Sequence, residues 1–133
     1  MAFGVRERIK DNSNPKPTRY YSKRQENSVA KKIGGKTTAN SGATWHSKGD
    51  IITNGEESWL IECKTKTTHS DSITIKKEWF EKNKQEMAFM GKSHQAVVFN
   101  FGPDEENHYI IDEYLFIELQ EYLKEKHNDE TMW

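Results

Sequence analysis

GDIITNGEESWLIECK, residues 49–64, is the most informative stretch of this chain, because both a strand pairing and a chemistry can be read from it. Asn54-Gly55 is the strongest two-residue hairpin signal in the sequence, since both residue types accept the positive φ that a tight turn between twisted strands requires. On one side GDIIT reads as a strand. On the other, SWLIECKTKT has the aliphatic and aromatic content of a second, so the two are expected to pair antiparallel. Alternate side chains of a strand share a face, which points Glu62 and Lys64 together and Ile61 and Cys63 to the opposite side. Eleven residues separate Asp50 from Glu62, and pairing across the turn brings the two carboxylates side by side, where like charges call for a cation. Hard oxygen ligands suit Mg²⁺ or Mn²⁺, with the backbone carbonyl of Cys63 able to complete the shell and Lys64 standing over a metal-bound water. Spacing alone favours a plainer account, in which Asp50, Glu62 and Lys64 are solvent-facing positions of a half-exposed hairpin.

Outward from the hairpin, helices and strands alternate. Upstream, Val29, Ala30 and Ile33 fall at helical spacing, so a short helix is expected over 24–33, stopped by Gly34-Gly35. KTTANSGAT, residues 36–44, suggests a short strand feeding a polar loop. Downstream, Ile75, Trp79, Phe80, Met87, Phe89 and Met90 predict the longest helix, over 72–91, with Trp79 and Phe80 packing it on the sheet. QAVVFNFG and HYIID read as two further strands, and Leu115, Phe116, Leu119, Tyr122 and Leu123 as a closing helix over 114–126. The order helix, three strands, helix, two strands, helix describes an α/β domain around a mixed sheet.

With 133 residues the chain amounts to one domain. Hydrophobic residues make up 33% and charged residues 31%, so the core must be small. No apolar run is long enough for a bilayer, and MAFGVRERIKDNSNPKP lacks the apolar stretch of a secretory signal, which leads us to expect a cytoplasmic protein without membrane contact. The lone cysteine, Cys63, excludes an internal disulfide or a multi-cysteine zinc site, and it reads as a small core residue rather than a nucleophile.

The overall charge of −1 conceals a polarity along the chain: net +8 over residues 1–48, −1 over 49–100 and −8 over 101–133. Residues 1–23, with Pro15, Pro17 and an Asn/Ser cluster, read as a basic flexible arm ahead of a single domain over 24–133. Clustered Lys and Arg gain affinity by displacing counterions from phosphates, so the arm suits a polyanion as well as it suits a merely soluble tail. Lys48, Lys66, Lys76 and Lys77 flank the acid pair in sequence and can track a phosphate backbone, or simply be solvated. Trp45 and His46, in the loop before Asp50, read as packing or surface groups. The acidic last third reads as a solvated helix face that repels DNA toward the basic half, or meets another subunit's basic arm.

Asp50 and Glu62-Cys63-Lys64 on a hairpin, preceded by a helix containing Glu26, resemble the PD-(D/E)xK nuclease superfamily. The run SVAKKIGGKTTANSGATWHSKGDIIT, then WLIECKT, a helix and QAVVFNFG, is similar to its Holliday junction resolvase-like branch, including small resolvase-like proteins of tailed phages, over residues 24–102. The resemblance implies a restriction-endonuclease-like core, a mixed β-sheet flanked by helices, that hydrolyses DNA phosphodiesters with Mg²⁺ or Mn²⁺. It implies Asp50 and Glu62 as metal ligands with the Cys63 carbonyl, Lys64 as the catalytic lysine, Glu26 as an assisting acid and Ser41 as a contact to the DNA backbone. Gly49 stands where the superfamily's name motif has proline, a loop position that carries no ligand. Branched DNA cut by a homodimer is the substrate and assembly implied. Flap, nicked or duplex DNA, or a non-cleaving recombination or replication accessory role, are the alternatives.

Overall fold

The computed structural model of the chain describes residues 16–38 and 50–131. Ser41, Trp45, His46, Lys48 and most of the basic arm lie outside the described residues.

Helix α1, Thr18–Ile33, buries Gln25, Val29 and Ala30 on one face. Gly34 ends it in the left-handed conformation at φ 71°, with its N–H bonded to the Ala30 carbonyl, as a helix C-terminus favours. The helix starts six residues before the expected Arg24, so residues 18–23 are helical rather than extended. Pro17 takes the N-cap position, and the polar residues behind it make contacts one turn apart: Ser22 Oγ donates to the Thr18 carbonyl at 3.1 Å and Arg24 to the Tyr20 hydroxyl at 3.4 Å.

Five strands form one mixed sheet in the order β1-β2-β3-β4-β5: β1 Lys36–Thr37, β2 Ile51–Ile52, β3 Trp59–Lys64, β4 His94–Phe99 and β5 His108–Ile111. The hairpin partners β2 and β3 are antiparallel, with Ile51 opposite Ile61 and Ile52 opposite Leu60. Their turn is wider than Asn54-Gly55 alone. Thr53 N–H donates to the Trp59 carbonyl at 3.1 Å and Trp59 N–H to Thr53 Oγ1 at 2.8 Å, which leaves residues 54–58 in the loop. Strand β4 runs parallel to β3, and α2, Lys77–Met90, makes the crossover that a parallel pair requires. This helix begins five residues later than expected, because Ile73, Thr74 and Ile75 are β-branched and stiff at χ1. At 14 residues it is the shortest of the three described helices, not the longest. The longest is α3, Glu113–Thr131, with 19.

The sheet's two faces differ in chemistry. On one, Ile51, Ile61, Cys63, Ala96 and Val98 meet Val29 and Ala30 of α1 as the apolar core. The other carries Leu60, Glu62, Gln95 and Val97, all buried, and α2 covers it with polar residues, Asn83 at 0% exposure and Glu86 at 7%. No helix of the described residues is long and apolar enough to cross a membrane.

Candidate active site

The β2–β3 register sets the acid pair. With Ile51 opposite Ile61, Asp50 one residue back comes level with Glu62 one residue on. Asp50 is pinned there twice, by its N–H to the Ile61 carbonyl at 3.0 Å and by its Oδ2, which accepts the Cys63 N–H at 2.7 Å. A strand residue's N–H and C=O leave toward the same edge, so the Cys63 carbonyl is directed toward Asp50 as well. The Cys63 side chain points the other way, into the core. Burial, together with Asp50, Glu26 and Glu62, pushes its thiol well above the ordinary range, so it stays protonated and unreactive.

Glu62 and Lys64 share the opposite face, as their spacing requires. Lys64 Nζ lies 3.0 Å from Glu62 Oε2 and 4.7 Å from the centre of the Trp79 ring, so an acid and an aromatic face together fix the ammonium. Trp79 thus does more than pack α2. The Lys64 backbone is held separately: its carbonyl accepts Gln25 Nε2 at 2.7 Å, which ties the end of β3 to α1.

Glu26 reaches the same place from α1. A cleft of 240 Å³ is lined by Thr18, Arg19, Ser22, Lys23 and Glu26 of that helix and by Thr38 and Asp50 of the sheet. Burial, Asp50 and Glu62 raise the Glu26 carboxyl to about 7, against the opposing pull of Lys23 and Arg19. Burial and Asp50 also raise Glu62, opposed by Lys64 and Lys82. Burial is the larger cause for both carboxyls, and the repulsion of Asp50 adds to it an excess of negative charge that the neighbouring cations oppose without cancelling.

That excess tests the metal expectation. A divalent cation would relieve the repulsion among Glu26, Asp50 and Glu62, so the donor chemistry fits one. Among the described residues no three His, Cys, Asp or Glu side chains are grouped closely enough to hold an ion by themselves. A cation at this edge would draw on Asp50, Glu62, the Cys63 carbonyl and water, a donor set of the kind Mg²⁺ with its retained waters accepts.

Of the sequence-predicted residues, Glu26, Asp50, Glu62 and Lys64 are brought together. Lys76 and Lys77 stand exposed at the start of α2, within a turn of Trp79. Lys66 lies two residues past Lys64, half-buried, with Nζ 3.4 Å from Ser70 Oγ. Ser41 and Lys48 fall outside the described residues. Arg19, Lys23 and Lys82 also neighbour the acids, and Trp79 holds Lys64, which the hairpin pattern alone does not reveal. Arg19, Lys23 and Glu26 carry a readable signal, the i, i+4, i+7 spacing of one helix face, once the helix is started at Thr18. No known protein family, curated protein or solved structure matches this chain.

Proposed function

We propose that the protein is a metal-dependent DNA endonuclease of the PD-(D/E)xK kind, built on a restriction-endonuclease-like core, that acts on branched DNA as a homodimer. The observation that supports this most is the convergence of Glu26, Asp50 and Glu62 with Lys64 at the β2–β3 edge, where burial and mutual repulsion raise two of the carboxyls. The element order α1-β1-β2-β3-α2-β4, with the acid pair on the β2–β3 hairpin and β4 parallel to β3, supports the core assignment.

A bound Mg²⁺ or Mn²⁺ would supply Lewis-acid polarisation of the scissile phosphate and a water of lowered pKa. The chain's own residues do the rest. Asp50 and Glu62 would hold the ion, and the Cys63 N–H fixes the Asp50 carboxylate in place. Lys64, pinned by Glu62 and Trp79, carries its ammonium to a phosphate oxygen on which charge develops. Glu26, with a carboxyl near 7, can hold or release a proton at neutral pH. Arg19 and Lys23 line the cleft beside Asp50 and can seat the phosphates on either side of the cut.

Incubation of the purified protein with labelled four-way junction, flap and linear duplex, in Mg²⁺, Mn²⁺ or EDTA, tests this reading. Metal-dependent paired nicks confined to the junction are expected. Cuts on the flap or duplex would change the substrate assignment, and binding without cutting under every metal would replace the nuclease with a non-cleaving DNA-binding protein.

A further inference from the structure

Helix α1 borders two clefts. Arg19, Lys23 and Glu26 line the one beside Asp50, whereas Tyr21, Gln25, Ser28 and Lys32, spaced i, i+4, i+7 and i+11, line another on a different flank. This second cleft has a volume of 440 Å³, the size of a small-molecule site, and is closed on its far side by the loop between β4 and β5 and by Tyr109 of β5. The loop is braced from two sides. Asp104 holds a left-handed φ of 63°, uncommon for a residue with a side chain, and its carboxylate meets Arg24 of α1 at 2.6 Å, while Glu105 is bonded to His69. Amides make up the inner end. Gln25 is 6% exposed and Asn100 4%; Gln25 Nε2 donates to the Lys64 carbonyl at 2.7 Å and to Asn107 Oδ1 at 3.3 Å, and Asn100 Nδ2 donates to the same Asn107 oxygen at 3.2 Å. Gln25 Oε1 is buried with no hydrogen-bond partner, which costs stability until a donor meets it.

We propose that this cleft receives an unpaired nucleobase of the DNA whose phosphates Arg19 and Lys23 seat. The choice of ligand rests on the nuclease reading above; the cleft's own chemistry narrows it to a base. Arg24 and Lys32 stand against Asp104, Glu105 and Glu106, so the lining has a slight acidic excess and does not recruit a phosphate. Two phenol rings and three amides suit instead a planar, uncharged group with a hydrogen-bonding edge, which is how extruded bases are held. Position fits as well. A helix is about 10–12 Å across, so a single strand that crosses α1 can lay a phosphate on the flank of Arg19 and Lys23 and a base in the cleft on the other. Gln25 ties the two sides together, because the amide that lines the cleft also holds the carbonyl of Lys64. A base already out of its stack, as at a branch point, enters at least cost.

Duplexes carrying a fluorescent base analogue, either paired or unpaired in a single-nucleotide bulge, are to be titrated with the full chain in Ca²⁺. The unpaired probe is expected to bind more tightly than the paired one, on the order of tenfold, and to change its emission as the analogue stacks on protein. Tyr109, 45% exposed, can be replaced without opening the core. Tyr109→Ala is expected to lose the preference while binding the paired duplex as the parent does, with an unchanged circular dichroism spectrum, and Tyr109→Phe, which keeps the ring, to match the parent. A parent that binds both probes equally, or a Tyr109→Ala variant that keeps the preference, would overturn the proposal. Cleavage is scored apart from binding: a chain that cuts DNA without favouring the unpaired base loses the base cleft and keeps the nuclease, and one that favours it without cutting does the reverse.

Discussion

Glu26 concentrates the electrostatics of the site in one side chain. Its carboxyl sits near 7 when folded against an ordinary 4.5, so the native state holds a proton that the unfolded chain has already released. The stability this confers is complete below the ordinary carboxylate range and is lost as pH rises through about 7. Glu26→Gln removes the titration, so its melting temperature is expected to exceed the parent's at pH 8 and to fall less between pH 5 and 8. Parallel melting curves across that range would contradict the assignment. Trp79 is tested through Lys64. Removing the ring with Trp79→Ala is expected to lower cleavage about tenfold, with DNA binding retained and Trp79→Phe close to the parent, since a cation over a ring is worth about 1 kcal/mol or somewhat more. Equal losses in the Phe and Ala variants would reduce Trp79 to a packing residue. At this scale the sequence was informative about facing: the period of two separated Glu62 and Lys64 from Ile61 and Cys63, and the structure has that separation. It was silent about Trp79 and Lys82, because the approach of α2 to β3 depends on packing between distant segments, which no local pattern encodes.

Among the elements, the hairpin and the helix ends carry the positions of the acids. Strand pairing was legible, since apolar residues on both sides of Asn54-Gly55 need a common face to bury. The loop itself was not, because Thr53 closes it with backbone and side chain together and draws residues 54–58 into the turn. The start of α1 was hidden for a related reason. Residues 18–23 are polar and follow two prolines, the composition of an arm, yet Pro at a helix entrance and polar pairs one turn apart also suit a first turn. Arg19 and Lys23 are legible as site residues only once that first turn is read as helix. The connection from α1 to β1 is equally exacting. At Gly35 a Cβ would stand 2.9 Å from Ile51 Cγ2 and 3.0 Å from the Ile52 carbonyl, so the chain passes directly over β2 beside Asp50. Gly35→Ala is expected to cost about 1–3 kcal/mol in denaturant unfolding and to impair the site with it. A cost below about 0.5 kcal/mol would show that β2 yields readily at this point.

Among the described residues, the polarity of charge along the chain becomes a polarity in space. Helix α1 brings Arg19 and Lys23 to the acids, and the exposed Lys76 and Lys77 open α2 within a turn of the Trp79 that holds Lys64, so basic groups border the site from both helices. The acidic α3 belongs to a different part of the surface. DNA affinity should therefore fall steeply with salt, and Arg19→Ala with Lys23→Ala should flatten the log–log slope by about 2, which a titration by fluorescence anisotropy reads directly. An unchanged slope would place the phosphates elsewhere. Glu62→Gln gives the most direct test of the site, because it keeps the shape of the buried side chain and removes its negative charge, with circular dichroism as the check on its fold. Junction binding is to be measured in Ca²⁺ and junction cleavage in Mg²⁺, parent and variant side by side. Retained binding with cleavage lowered by at least about a hundredfold is the predicted result. A Glu62→Gln variant that cuts like the parent, or a parent that cuts nothing, would contradict the assignment of Asp50, Glu62 and Lys64 to a nuclease centre.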